Sequence, residues 1–197
     1  MSVLLILYNL NGAVIFSDSR KTSGVVKLDN TKKVYSNGSI IFGQMGIYTH
    51  KNVDFKKTVT EGLLAGKELK EIVNSEYKDT NKTLKDLIPD DEMVTVFYAK
   101  KNGEIGVYDI KKTGEIKNLA DSKTGYFRNT GTSRKVFDIL VDNYLIFHEN
   151  ESIDMLVKKG KYIIENFIKL EENYELMTNI PSIVGGNVQT VYIEFDK

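Results

Sequence analysis

The sequence predicts an α+β protein in which helices cover antiparallel sheets, and two observations lead to that fold class. The apolar pattern changes along the chain in blocks: strands, a helical stretch, strands again, two more helices and one last strand. Most of the strands are joined by short turns containing Asn or Gly, which is typical of hairpins and therefore of antiparallel pairing. Helices that alternate with runs of hairpins indicate helices lying on antiparallel sheets rather than a parallel doubly wound sheet.

The first two apolar runs form the pair of strands around which the rest is arranged. Residues 3–8 and 13–16 flank the sequence Asn9-Leu10-Asn11-Gly12. Asn-Gly between apolar runs predicts a hairpin turn, because Gly accepts the positive φ that such a turn needs. In an antiparallel hairpin the start of the first strand lies beside the end of the second. We therefore expect Ser2 to lie close to Asp18.

The remaining elements follow from the same patterns. Further strands are predicted at residues 24–28, in a hairpin over 34–42, and at 93–98, 104–110, 115–119 and 188–195. Helical spacing is found at residues 52–76, with Gly62 and Gly66 weakening its middle so that two helices fit the pattern, and at residues 83–87. Two later helices are predicted at residues 133–144 and from Ser152, a plausible N-cap, to about residue 170. Their buried stripes are predicted to be Val136, Phe137, Leu140, Val141 and Tyr144, and then Ile153, Leu156, Val157, Ile163, Ile164, Phe167 and Ile168.

Length and composition restrict the class of protein. A chain of 197 residues without a linker or repeat predicts one domain, residues 1–197. Lys plus Arg equals Asp plus Glu at 27 each, so no global charge favours nucleic acid or an anionic membrane as a partner. The absence of cysteine excludes disulfides and thiolate metal sites, and the opening apolar run is too short to span a bilayer. We expect a cytoplasmic protein that needs no cofactor and no metal.

Histidine chemistry has little support in the sequence. The chain has only two histidines, His50 and His148, and neither has a partner at a metal-ligand spacing. A Ser-His-Asp triad would need one of them, and no Gly-x-Ser-x-Gly motif accompanies them. The motifs Gly43-x-x-Gly46 and Gly185-Gly186 are too short for nucleotide-binding loops.

An N-terminal nucleophile fits the residues better. If Met1 is removed, Ser2 carries both a hydroxyl and a free α-amine, whose pKa of about 7.7–8.0 lets it act as a base near neutral pH. A nearby ammonium such as that of Lys33 would stabilise the alkoxide, and the carboxylate of Asp18 would hold the ammonium in place. A backbone N–H on a Gly loop could bind the oxyanion, and Gly43 is the candidate.

Several short motifs occur in an order that resembles a known family. They are Ser2 at a strand start, Gly12 in the turn, Asp18-Ser19-Arg20, Lys32-Lys33-Val34, residues 40–46 ending in Gly-x-x-Gly, Gly131-Thr132-Ser133 and Gly185-Gly186 before the last strand. This set resembles the proteasome β-type family and its bacterial proteasome-like relatives among the N-terminal-nucleophile hydrolases.

The resemblance implies a four-layer αββα sandwich, with two antiparallel sheets between two layers of helices. It also implies amide-bond hydrolysis, a peptide or small amide as the substrate, and assembly into rings or other homo-oligomers. By motif matching, Ser2 would be nucleophile and base, Asp18 and Lys33 its electrostatic support, Gly43 the oxyanion donor and Thr132 an auxiliary hydroxyl.

Alternative interpretations remain open at this stage. The family nucleophile is usually Thr, and residues 180–186 lack the family's Asp and Ser ahead of Gly-Gly. One hypothesis is therefore a peptidase of proteasome-like type, a second is a catalytically inactive assembly or binding subunit, and a third is a small-amide hydrolase. Each site residue also has a structural alternative: a strand-end ion pair for Asp18 and Arg20, a solvated charge for Lys33, a tight turn at Gly43 and a helix N-cap at Thr132.

Overall fold

A computed structural model describes residues 3–23, 26–46, 49–50, 53–79, 93–111, 116–118, 125–130, 134–146 and 148–196. The strands are β1 Val3–Asn9, β2 Gly12–Asp18, β3 Lys21–Ser23, β4 Val26–Leu28, β5 Val34–Ser36, β6 Ile40–Met45, β7 Thr49–His50, β8 Val53–Asp54, β9 Met93–Lys100, β10 Ile105–Lys111, β11 Ile116–Asn118, β12 Gly125–Thr130 and β13 Val188–Glu194. The helices are α1 Phe55–Leu64, α2 Leu69–Asp79, α3 Arg134–Tyr144 and α4 Ile153–Thr178.

Most of these strands belong to two antiparallel sheets. The first sheet has the order β12-β1-β2-β13, and the second has the order β11-β10-β9-β6-β5. The pairs β3-β4 and β7-β8 form two short ribbons of their own. Every strand pairing in the two sheets is antiparallel. The predicted α+β class with antiparallel sheets is therefore confirmed.

Both faces of the first sheet are covered. Val3, Leu5 and Leu7 of β1 pack in one apolar cluster with side chains of α3 and α4. The alternate residues Leu4 and Ile6 pack in a second cluster with side chains of β6, β9 and β10 from the other sheet. This two-sided burial explains why residues 3–8 form an uninterrupted apolar run, since a half-exposed strand would alternate with polar residues.

The second sheet is covered by the first pair of helices. Phe42, Val94 and Val96 pack in a third cluster with Val59 of α1 and Ile72 of α2. Each fully buried side chain of this size contributes about 1.5–3 kcal/mol to folding. Side chains of α3 and α4 thus pack with the first sheet, side chains of α1 and α2 pack with the second, and a further cluster joins side chains of the two sheets.

The first hairpin forms as predicted, but its glycine has a different role. Asn9 pairs with Gly12, so Leu10 and Asn11 form the loop and Gly12 lies in β2. A Cβ added to Gly12 would lie 2.2 Å from the carbonyl oxygen of Ile193 on β13. The predicted turn role is therefore wrong: Gly12 is needed because the neighbouring strand approaches its backbone closely.

The helical stretch after β8 consists of two helices, in agreement with the weakening noted at its glycines. Gly66 lies in the turn between α1 and α2 with a φ of 79°. Gly62 lies inside α1, where an added Cβ would be 2.5 Å from Cδ1 of Ile72 on α2, so this glycine permits close helix packing. The helix predicted at residues 83–87 lies outside the described residues.

The second late helix is longer than predicted. Ser152 is its N-cap and accepts a hydrogen bond from the Met155 amide, as expected, but α4 continues to Thr178. The apolar periodicity that marks a buried face stops near Ile168, whereas good helix formers continue until Asn179 adopts a φ of 56°.

The first late helix has a narrower buried stripe than predicted. Phe137, Leu140 and Val141 are buried, whereas Val136 is 40% and Tyr144 is 52% exposed. The predicted burial of these last two residues is wrong.

Candidate active site

Asp18 lies at the end of β2 and is completely buried. Its Oδ1 accepts a hydrogen bond of 3.1 Å from the amide of Val3, the first residue of β1. The hairpin therefore brings the start of β1 to this carboxylate, in the way that the sequence geometry predicted. Ser2 itself lies outside the described residues, so its predicted proximity to Asp18 remains a prediction.

Lys33 completes a buried ion pair with Asp18. Its Nζ lies 2.8 Å from Oδ1 of Asp18 and also donates to the carbonyl oxygen of Arg20. The side chains of Lys33 and Asp18 are 6% and 0% exposed, so Lys33 is not a solvated surface charge. The Lys33 amide is held by Oε1 of Gln189 on β13 at 2.8 Å, which fixes the lysine from its backbone as well.

The electrostatics of Lys33 follow from its burial. Removal from water lowers the pKa of Lys33, while the charge and hydrogen bond of Asp18 act in the opposite direction. The guanidinium of Arg20 adds to the lowering because it is a like charge. A cation in this position would favour the neutral form of a neighbouring amine and would stabilise an adjacent alkoxide.

The second carboxylate oxygen of Asp18 binds two backbone amides. Oδ2 accepts from the Arg20 amide at 3.3 Å and from the Gly185 amide at 3.2 Å. Together with Val3 and Lys33, four donors from four parts of the chain converge on this carboxylate. They fix its orientation at the end of β2.

Arg20 connects this carboxylate to the segment that precedes the last strand. Its guanidinium makes a two-point contact with Asp29, at 2.7 and 3.0 Å, and donates to the Val184 carbonyl at 3.3 Å. The hydrogen bond with Asp29 raises the pKa of Arg20 and lowers that of Asp29. The Arg20 amide also donates to the Gly185 carbonyl at 3.1 Å. Arg20 thus holds the Gly185 amide in reach of Asp18.

The two consecutive glycines before β13 are required by these contacts. A Cβ on Gly185 would lie 2.2 Å from Cζ of Arg20, and a Cβ on Gly186 would lie 2.5 Å from Oγ of Ser19. Gly186 also has a φ of 73°, which disfavours other residues. In the sequence, Gly185-Gly186 matches the family's closing Gly-Gly while the Asp and Ser ahead of it are missing, and the structure brings the backbone of this segment to Asp18.

Three contributors to this site were missed in the sequence: Asp29, Gly185 as an amide donor, and Gln189. The Gly-Gly pair could have signalled a close backbone approach. Nothing local marks Gln189, whose contact with the Lys33 amide joins residues 156 positions apart.

Gly43 lies in β6, within the cluster that fills the space between the sheets. A Cβ there would be 2.7 Å from Cδ1 of Leu4 and 3.0 Å from Cγ2 of Ile15. Gly43 is paired with Val34, and the hydrogen bond from the Gln44 amide to the Lys33 carbonyl flanks that pair. Gly43 and Val34 are therefore a non-hydrogen-bonded pair, so the Gly43 amide points to β9 rather than to β5.

Thr132 lies outside the described residues, between the end of β12 and the start of α3. Thr130, the last residue of β12, is paired with Val3. In the described part of the chain, no three His, Cys, Asp or Glu side chains are grouped so that they could hold a metal ion. None of the helices there combines the length and apolarity needed to cross a membrane.

Comparisons with known proteins give a likeness in three dimensions. No family model and no curated protein matches the sequence. Among solved structures, an Anbu Gly-1 mutant from Hyphomicrobium sp. strain MC1 is similar with a TM-score of 0.61 and 13% identity, over 100% of this chain and 84% of that chain. The helical assembly of the Anbu complex from Pseudomonas aeruginosa gives a TM-score of 0.59 and 13% identity, over 98% of this chain and 84% of that one. The chain has the fold of Anbu. At this identity the likeness concerns the fold alone.

These comparisons correct the predicted family. Membership of the proteasome β-type family was expected from the motif set, but no family model matches the chain. The similarity that is found is to solved Anbu structures, and it lies in the fold. The physical reason is that the motifs are short: an acidic-x-Arg at a strand end and a Gly-Gly turn meet local packing needs, as Arg20 and Gly185 show here, and do not by themselves define a family.

Proposed function

We propose that this protein is an amide-bond hydrolase, acting on peptides, whose nucleophile is Ser2 after removal of Met1. The observation that carries the proposal is the buried Asp18–Lys33 pair, with 2.8 Å between Nζ and Oδ1. The same Asp18 oxygen accepts the amide of Val3, the residue directly after Ser2. A buried ion pair next to the chain start is the support that an N-terminal hydroxyl needs for its activation.

In the first step the Ser2 hydroxyl gives its proton to the free α-amine of the same residue, directly or through water. The oxygen attacks the carbonyl carbon of the scissile amide and forms a tetrahedral intermediate. The ammonium then donates its proton to the departing amine, the C–N bond breaks, and an ester on Ser2 remains. The Lys33 charge favours the unprotonated α-amine at the start of this step, and Asp18 keeps Lys33 in position.

In the second step water replaces the amine. The α-amine of Ser2 takes a proton from the water, and the resulting hydroxide attacks the ester carbonyl. Collapse of the second tetrahedral intermediate breaks the bond to Oγ, which recovers the proton and leaves a free carboxylic acid. No metal or organic cofactor takes part in this proposal.

Two further residues belong to the proposal as oxyanion donor and auxiliary hydroxyl. The Gly43 amide would bind the oxyanion, which requires it to exchange its partner on β9 for the substrate oxygen. Thr132, two residues after Thr130, which pairs with Val3, would support the nucleophile with its hydroxyl.

The proposal also covers the fold that holds this site, its assembly and its cellular location. The chain is taken as one domain, residues 1–197, in a four-layer αββα sandwich, and the three apolar clusters support this layering. Homo-oligomeric assembly in the cytoplasm is also proposed. The Pseudomonas aeruginosa protein of the same fold is described as a helical assembly, and the absence of cysteine suits a reducing compartment.

The proposal is tested by the mass of the native protein and by covalent labelling. Intact mass should show loss of Met1, and an acylating or epoxyketone probe should label Ser2. The Ser2→Ala variant should lose the label, whereas Ser39→Ala, which changes an exposed serine of the second hairpin, should keep it. Retention of Met1 in the native product would exclude the amine as the base, and labelling that survives Ser2→Ala would exclude Ser2 as the nucleophile.

A catalytically inactive assembly or binding subunit is the second candidate. It is favoured by residues 180–186, which lack the Asp and Ser that the proteasome β-type family carries ahead of Gly-Gly, and in which the Ser182 hydroxyl is engaged with the Val184 carbonyl. A processed but unlabelled protein that assembles normally would support this candidate. Hydrolysis of small amides but not of peptides by the processed protein would instead support a small-amide hydrolase.

A further inference from the structure

Val3 is held at both of its backbone polar groups by two consecutive residues of β2. Its amide donates to Oδ1 of Asp18 at 3.1 Å, and its carbonyl oxygen accepts from Oγ of Ser17 at 2.9 Å. The Ser17 hydroxyl also lies 3.0 Å from the carbonyl oxygen of its neighbour Asp18, so its single proton is shared between two acceptors. Val3, the first residue of β1, is therefore attached to the candidate site through both its amide and its carbonyl group.

Ser17 occupies a position where the rest of the strand would predict an apolar residue. On β2, Ala13 and Ile15 belong to the cluster between the two sheets, and the alternation of a strand places Ser17 on that same face. Ser17 is 1% exposed. A buried hydroxyl costs free energy unless it has a partner, so a serine here needs a compensating contact, and the Val3 carbonyl provides it.

The face of the first sheet that carries Ser17 is also polar on the neighbouring strand β13. Ser17 is in register with Leu4 on one side and with Gln189 on the other. The Gln189 side chain accepts from the Lys33 amide at 2.8 Å. The inter-sheet space thus changes from apolar to polar where β1 begins, next to the Asp18–Lys33 pair.

We propose that Ser17 is a positioning residue for the N-terminal nucleophile. The inference rests on the proposed function and deepens it. Strand termini fray when only part of their backbone is bonded. By holding the Val3 carbonyl while Asp18 holds the Val3 amide, Ser17 fixes the direction in which the chain enters residue 2. The hydroxyl and amine of Ser2 then keep one orientation relative to Lys33.

The first test measures the attachment without any need for catalysis. Amide hydrogen exchange is followed at Val3 in the Met1-free protein and in Ser17→Ala, Ser17→Thr and Ser17→Val. Loss of the hydroxyl should speed exchange at Val3 by about five- to tenfold, the effect of one hydrogen bond. Thr and Val have nearly the same shape, so Thr should retain slow exchange and Val should lose it. This pair also keeps the test valid if the Ala variant does not fold.

Ser182→Ala is the control for a general effect of removing a buried serine. Ser182 is 4% exposed, and its hydroxyl also donates to a backbone carbonyl, that of Val184. Exchange at Val3 should stay at the wild-type rate in this variant. Equal acceleration at Val3 by Ser182→Ala and Ser17→Ala, or no acceleration by Ser17→Ala and Ser17→Val, would overturn the attachment.

The second test measures reactivity at Ser2. In Ser17→Val the maximal rate of Ser2 labelling by an epoxyketone probe should fall about tenfold with little change in the probe concentration for half-maximal rate, and Ser17→Thr should retain the wild-type rate. A wild-type rate in Ser17→Val, together with faster exchange at Val3, would overturn the positioning role while leaving the proposed function intact. Absence of labelling in the wild-type protein would instead contradict the proposed function, and the exchange data would then decide the attachment alone.

Discussion

Nζ of Lys33 lies 2.8 Å from Oδ1 of Asp18, and neither side chain is appreciably exposed to solvent. Burial of two charges is tolerated when each has a partner and when the remaining polar atoms are hydrogen-bonded. Here the carboxylate also binds the amides of Val3, Arg20 and Gly185, so the pair is the point at which β1, β2 and the segment before β13 meet. Any change to it should affect stability and chemistry together.

Lys33→Met tests both effects in one variant. It leaves Asp18 buried without its cation, which should lower the free energy of unfolding by about 3–5 kcal/mol. Labelling of Ser2 should also be lost, since the nucleophile loses its neighbouring charge. Denaturant unfolding measures the first effect and probe labelling the second.

A double-mutant cycle with Asp18→Asn controls for the substitution itself. If the pair acts as a unit, Lys33→Met combined with Asp18→Asn should be more stable than the sum of the single changes predicts, because no uncompensated charge remains. Additive losses would show that Lys33 and Asp18 contribute independently. Full labelling of Lys33→Met would remove the lysine from the mechanism.

The lowered pKa of Lys33 makes a prediction about alkaline pH. Because burial depresses its pKa below the ordinary value of 10.5, the unfolded chain binds more protons at this site than the folded chain in the window just below that value. Stability therefore rises with pH through the window. The free energy of unfolding of the wild type minus that of Lys33→Met should increase as pH approaches 10.5. A flat or falling difference would contradict the direction of this shift.

How far the sequence predicts the fold depends on whether the signal is local. The continuous apolar run of β1, the Ser152 N-cap and the Asn-Gly hairpins are local patterns, and the structure confirms the elements that they predict. The end of α4 and the exposure of Tyr144 were predicted wrongly. Helix α4 continues beyond its buried face because its later residues are good helix formers. Tyr144 packs against Tyr162, with 5.5 Å between ring centroids, instead of being buried.

The same difference between local and long-range signals applies to the candidate site. The approach of the start of β1 to Asp18 follows from one hairpin, so strand geometry could predict it, whereas Lys33 was expected only from its residue type and from the motif resemblance. The contacts of Gly185 and Gln189 join residues more than 150 positions apart and are set by the pairing of β13 with β2. Nothing in the local sequence around Asp18 specifies them, because long-range register depends on the packing of the whole sheet.

Gly185→Ala tests the contact between the late segment and the site. The added Cβ would lie 2.2 Å from Cζ of Arg20, so either the guanidinium or the Gly185 backbone must move. We expect a loss of about 1–3 kcal/mol in the free energy of unfolding, as for other overpacked sites, and slower Ser2 labelling. Gly38→Ala is the control: no atom lies within 4 Å of its added Cβ, although its φ of 88° also disfavours Ala. If both variants behave alike, contact with Arg20 has no special importance.

Arg20→Lys tests whether a positive charge alone at position 20 can hold the segment before β13 in place. The guanidinium binds both oxygens of Asp29 and also the Val184 carbonyl, a geometry that a single ammonium cannot reproduce. We expect Arg20→Lys to lower the melting temperature and to slow Ser2 labelling, because the Gly185 amide is no longer held against Asp18. Thermal unfolding and labelling rates measured on the same preparations test both expectations.

Asp29→Asn tests the Arg20–Asp29 contact from the carboxylate side, through the dependence of stability on pH. The hydrogen bond with Arg20 lowers the pKa of Asp29 from its ordinary value of 3.8, so the stabilising contribution is present above that value and is lost as pH falls through the lowered pKa. The wild type should therefore lose stability on acidification more steeply than Asp29→Asn, which lacks the titrating group. Because Asp29 is 44% exposed, solvent screens the contact, and the difference between the two acid unfolding curves should be modest. Identical acid unfolding curves for the two proteins would show that the Arg20–Asp29 pair does not stabilise the fold, and the role of Arg20 would then rest on its contacts with Val184 and Gly185.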